Sequence, residues 1–141
     1  MKFLPVLVVC VIFTAGCVSA PVYEPMHAAQ TQTLLLNEGA LKAVKAGMTA
    51  DEVHTLMGQT IVIGYSARGN GPDYDPLTIP NPYKVEKLTV GTTEYLVEYY
   101  VSAVHQPDGK VSDDEIEPLV FKAGVLSGRG WNYLNRIRPR P

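Results

Sequence analysis

Few side chains in this 141-residue chain are of a type that does chemistry. The two cysteines, Cys10 and Cys17, lie within or directly after an apolar N-terminal run. The three histidines are scattered, with His27 in a proline-containing stretch, His54 in a short helical segment and His105 in a polar turn. None has a serine in a G-x-S-x-G setting, and no HExxH, CxxC, P-loop or GxGxxG pattern occurs. Gly128-Arg-Gly130 lacks a third glycine and is read as leading into Trp131 rather than into a helix. His54, next to an apolar Val53, reads as a surface imidazole. The acidic stretch Asp108-Gly-Lys-Val-Ser-Asp-Asp-Glu115 overlays the second half of a calcium EF-hand loop. The first two ligand positions would then be Val104 and Gln106, which supply no carboxylate, and the flanks read as strands. Pro107-Asp-Gly is a turn signal on its own. These residues indicate no catalytic centre, no metal site and no cofactor.

Cys17 is different, because what precedes it gives it a role. Lys2 is a positive start, Phe3 to Phe13 is apolar apart from Pro5, and the small residues Thr14, Ala15 and Gly16 follow. This is the layout of a secretory signal. The run is well short of the ~20 residues that span a bilayer. Thr-Ala-Gly-Cys resembles a bacterial lipobox, which implies cleavage after residue 16 and lipid on Cys17. The alternative is an ordinary cut after Ala20, which would leave no cysteine in the mature chain. Acyl chains at ~0.8 kcal/mol per buried methylene would hold the protein on a membrane. By the same resemblance, Val18 after the cysteine implies sorting to the outer membrane. The net charge is −2, and −3 once Lys2 leaves with the leader, which carries no electrostatic footprint for nucleic acid.

The elements that follow predict an organisation of leader (1–16), flexible tether (17–32) and one domain (33–141). The tether, with two prolines and no period, includes His27 as a solvated side chain. From about Thr33 to Lys45, Leu34, Leu35, Leu41 and Val44 follow a helical spacing, and Gly47 ends the helix. Thr49-Ala-Asp-Glu52 is a capping box, so residues 50–57 form a two-turn helix stopped by Gly58. Thr60-Ile-Val-Ile-Gly-Tyr65 reads as a strand. Residues 66–83, with Pro72, Pro76, Pro80 and Pro82, read as a long loop. Its Tyr74, Leu77, Ile79 and Tyr83 either dock a partner or fold back over the sheet edge. Residues 84–90 and Glu94 to Val104 read as strands, with Tyr95, Val97, Tyr99 and Val101 facing the helices. A hairpin follows about Ala123-Gly124, and Arg129, Arg136, Arg138 and Arg140 form a basic end that solvates the tail or touches anionic headgroups. The expected fold is α+β, two N-terminal helices packed on a three- to four-stranded, mostly antiparallel sheet in a two-layer sandwich.

The segment Ala46-Gly-Met-Thr-Ala-Asp-Glu-Val-His-Thr-Leu-Met-Gly58 resembles the SmpA/OmlA (BamE-like) family of small outer-membrane lipoproteins. The resemblance is carried by Gly47, Met48, Thr49, Glu52, Val53, Leu56 and Gly58. Pro118-Leu-Val-Phe, Gly124-Val-Leu126 and Gly130-Trp131 look like the terminal hairpin of related lipoproteins. The resemblance implies a two-helix, three-strand sandwich and a role in envelope integrity or outer-membrane protein assembly, without enzyme activity. The expectation is thus a non-catalytic scaffold, lipid-anchored to the outer membrane, facing the periplasm and meeting an envelope protein partner. The alternative is a periplasmic binding module that inhibits or tunes an envelope enzyme through residues 66–83.

Overall fold

Residues 24–69, 74–105 and 108–138 are described by the computed structural model, with side chains from residue 34 onward. Cys10, Cys17, residues 17–23 of the expected tether and Arg140 lie outside the described residues. The rest of that tether is not a tether. Helix α1 (Glu24–Ala43) already begins at Glu24. Pro25 sits in the first turn, where its missing N–H breaks no intrahelical bond, and alanine, glutamine and leucine carry the helix onward. This stretch lacks apolar periodicity, so its helicity is invisible to a search for amphipathic faces.

The inward stripe of α1 runs from half-buried Leu34 through buried Asn37 and Leu41 to, just past its end, Val44, while Leu35 is 56% exposed. Asn37 is a polar member of an apolar stripe, and its amide donates to the Val101 carbonyl. Its Oδ1 accepts from Asn81 Nδ2 at 3.3 Å, and Asn81 Nδ2 also donates to the Met57 carbonyl at 2.7 Å. Helix α2 (Ala50–Met57) follows after the Gly47 turn and buries Val53 and Met57.

Strand β1 (Thr60–Ala67) pairs antiparallel with β2 (Tyr74–Pro80) to make a two-stranded sheet. Residues 66–83 are therefore not an irregular loop. Proline is tolerated on an edge strand where its nitrogen faces away from the partner, and among the described residues β2 has a partner on one side alone. Strands β3 (Lys84–Val90), β4 (Thr93–Val101), β5 (Ile116–Lys122) and β6 (Val125–Arg129) form a second, four-stranded antiparallel meander in that order. The β5–β6 turn uses Ala123 at φ 51° and Gly124 at φ 78°, the left-handed pair a two-residue hairpin needs.

The last described element is helix α3 (Trp131–Ile137), so Gly130-Trp131 does lead into a helix, and Arg129, Arg136 and Arg138 of the basic end belong to the fold. Gly128 lets this helix close down, since a Cβ there would lie 2.4 Å from the Tyr133 ring. The fold is α+β, as expected, but the four-stranded sheet is covered on both faces. Leu41, Val44, Val53 and Met57 of the N-terminal helices pack on Tyr100, Leu119, Phe121 and Leu126. On the other face Leu134 packs with Val97, Tyr99, Ile116 and Val120. Tyr95, Val97 and Tyr99 thus face α3, and not the N-terminal helices, while Val101 joins Ile61 and Ile63 of β1.

Candidate functional site

Three groups of polar side chains lie at places where chemistry could occur, and the fold uses each differently. The first is the junction between α1 and α2. Thr49 caps α2, the Glu52 amide donating to Thr49 Oγ1 at 3.3 Å and the Thr49 amide to Glu52 Oε2 at 2.8 Å. That backbone hydrogen bond holds the Glu52 carboxyl below its ordinary value. Gly47 and Met48 are stitched to the terminal hairpin, the Gly47 amide donating to Leu126 O at 2.9 Å and the Leu126 amide to Met48 O at 2.7 Å. Gly58, at φ 71°, ends α2 with its amide on the His54 carbonyl. The motif residues Gly47, Met48, Thr49, Glu52 and Gly58 therefore weld two helices to a hairpin, a folding role.

The second group is His54, Glu98 and Tyr100. Glu98 points from β4 toward α2 and is 2% exposed. His54 Nε2 reaches its two oxygens at 2.9 and 3.0 Å, and the Tyr100 hydroxyl donates to Oε2 at 2.8 Å. His54 is not a free surface imidazole but the solvent-side partner of a buried carboxylate. Burial first, and then the hydrogen bond to Glu98, push the Tyr100 phenol far above its ordinary value. Among the described residues no three histidines, cysteines or acids are grouped to hold a metal ion.

Glu115, the last residue of the calcium-like stretch, is the third. It is 4% exposed and accepts from the Ser112 amide at 2.9 Å, the Ser112 hydroxyl at 3.0 Å and the His105 amide. Burial pushes its carboxyl up, but these donors outweigh burial and hold it below the ordinary value. The carboxylate is thereby turned inward, onto its own loop.

Open clefts also occur, and one of them is lined by aromatic side chains. Between β3 and α3 lies a cleft of about 350 Å³, lined by Tyr83, Lys84, Tyr99, Asp113, Trp131 and Arg138 among others. The Tyr99 and Trp131 rings are 5.8 Å apart at 44°, a tilted pair. Trp131 Nε1 donates to Ile116 O at 3.0 Å, which fixes the indole. Lys84 Nζ lies 5.3 Å from the Tyr99 ring centre. Arg138 donates to Glu86 at 3.0 Å and to the Tyr99 hydroxyl at 2.8 Å. Burial, followed by the hydrogen bond to Glu86, raises the Tyr99 phenol to about 12.

The four side chains expected to dock a partner are split by the fold. Tyr74, Leu77 and Ile79 belong to β2, and Leu77 and Ile79 pack against Ile61, Ile63 and Val101. Leu77 and Ile79 thus cover the core, the other of the two roles open to these side chains. Tyr83 lies outside β2, 40% exposed, in the wall of the cleft. Sequence places Arg138 in a basic end and Tyr99 on a core face, and does not join them with Lys84 and Trp131 into one site. The alternating tyrosines of β4 are visible there, but their meeting with a tryptophan more than thirty residues later is not.

An α+β protein with a three-layer core and an open aromatic cleft is thus defined. The chain matches no family model, no curated protein and no solved structure.

Proposed function

We propose that this chain is a non-catalytic lipoprotein of the SmpA/OmlA (BamE-like) kind. It is anchored through lipid on Cys17 at the periplasmic face of the outer membrane. There it serves as a scaffold or accessory factor in envelope integrity or outer-membrane protein assembly. The observation that carries this reading is the division of labour among the polar side chains. Those at the α2 junction, at Glu98 and at Glu115 are consumed in holding the fold, while the Tyr83–Trp131 cleft is left for a partner. The leader ending at Cys17 and the Gly47-Met48-Thr49 junction support the family assignment. Among the described residues no helix is long and apolar enough to cross a membrane, and a lipid anchor needs none.

Metabolic labelling with a palmitate analogue tests the anchor. The wild type should be tagged and recovered with outer membranes, and Cys17→Ser should lose both properties. Label that persists in Cys17→Ser overturns the lipoprotein assignment. A photo-crosslinking residue in place of Tyr83 should trap an envelope protein, and one in place of Leu77 should not.

A further inference from the structure

Strand β3 is an edge of the four-stranded sheet, with β4 on one side and no strand among the described residues on the other. It runs for seven residues in unbroken register with β4. A regular free edge of this length is a template for another strand. Its exposed side chains are Lys84, Val85, Lys87 and Thr89, and Val85 is 53% exposed. Neither lysine is in an ion pair with another described residue, and Glu86, on the Lys84 face, is taken by Arg138.

These lysines discriminate between occupants. Lys87 is the central residue of β3, so full antiparallel pairing of two copies would set Lys87 opposite its own counterpart. Like charges directly opposite are destabilising, which disfavours a second copy of this chain. A strand carrying carboxylates is favoured by the same lysines. At the Lys84 end the edge opens into the aromatic cleft. There Arg138 is already occupied by Glu86 and the Tyr99 hydroxyl, leaving Lys84 to meet an incoming anion.

We infer that β3 and the cleft together bind an extended acidic segment of a partner protein. The segment adds to the sheet as a fifth strand and seats one bulky apolar side chain between Tyr83 and Trp131. Lys84 and Lys87 are three residues apart and point to opposite faces of the sheet, so the partner's carboxylates are also three residues apart. Main-chain pairing supplies affinity and the cleft supplies selection, the usual division in strand addition. The indole is already fixed by Ile116, so little side-chain freedom is lost on contact. This inference rests on the scaffold reading for its setting and adds the chemistry of the partner.

Trp131 is the single tryptophan of the chain, so its emission reports the cleft directly. The full chain in detergent micelles is titrated with an end-blocked peptide carrying one leucine and two glutamates at the stated spacing. Saturable change in emission is expected. Replacing both glutamates by glutamine, or Lys84→Gln in the protein, should weaken binding about fivefold, and added salt should do likewise. N-methylation of the peptide along one edge should abolish binding, because it removes main-chain pairing. Equal binding by the glutamine peptide overturns the inference, as does the absence of any saturable change. A response to a neutral oligosaccharide in place of the peptide also overturns it, and makes the cleft a sugar site. Failure here with Cys17 still labelled leaves the envelope assignment standing. Loss of Cys17 labelling with peptide binding intact leaves the cleft standing.

Discussion

The two faces of strand β4 are built from alternate residues of one segment and are covered by different elements. On the side of α1 and α2, Leu96, Glu98 and Tyr100 lie under helices, and even the carboxylate is 2% exposed. On the side of α3, Val97 and Tyr99 are just as buried, under a seven-residue helix, and a cleft opens beside them toward β3. Acid or apolar, the middle of both faces is closed, and the α3 side opens at the cleft beside Trp131. Hydrophobicity of a strand face therefore does not decide how completely it is covered. Coverage depends on the length and placement of the helix that reaches it.

That contrast predicts unequal responses to truncation. Phe121→Ala, in the closed core, should cost about 3–5 kcal/mol through lost burial and a cavity. Trp131→Ala, at the partly exposed mouth of the cleft, should cost distinctly less. Chemical denaturation of the two variants checks this, and equal losses would erase the distinction between the faces.

A smaller effect is expected where the α1–α2 face takes in charge. His54→Ala removes one of the two side chains that Glu98 meets and should cost about 1–3 kcal/mol, since a buried acceptor loses a partner. A second change, Glu98→Leu in the His54→Ala background, should return part of that loss. A double-mutant cycle measures it, and strict additivity would mean that the pair is not coupled.

Thr49→Ala should cost about 0.5–2 kcal/mol, because the first turn of α2 loses its cap. It should act on the α1–α2 face alone, leaving Trp131 emission unchanged. A shift in Trp131 emission would show that the two faces are mechanically linked.

The smallest effect concerns Glu115. Its carboxyl is held below the ordinary value of 4.5 in the folded state. Its contribution to stability is therefore complete above that ordinary value and is lost as pH falls through the lower, folded-state value. Glu115→Gln should flatten the acid limb of a melting-temperature profile while changing the neutral region by a constant amount. An acid limb identical to wild type would exclude Glu115 as a source of acid sensitivity.

The sequence alone determined what is settled within a few residues. The capping box of Thr49 and Glu52 is closed by atoms three residues apart, so its residues suffice to place α2 at 50–57. Gly124 can take a left-handed turn wherever it stands, and β3 emerges over 84–90, a stretch that reads as a strand. Tertiary structure decided the remainder. Strand β2 exists because β1 is there to pair with it, and two of its seven residues are prolines that argue against a strand until the partner is known. Asn37 is buried because the Val101 carbonyl, 64 residues away, accepts its amide. The cleft needs Tyr83 from a turn, Tyr99 from a strand and Trp131 from a helix, and no local pattern encodes their meeting. Caps and turns are contests between neighbouring backbone groups and are legible in order along the chain. Strand pairing, face assignment and clefts are set by which distant surfaces exclude water together, and that is fixed only when the whole chain has packed.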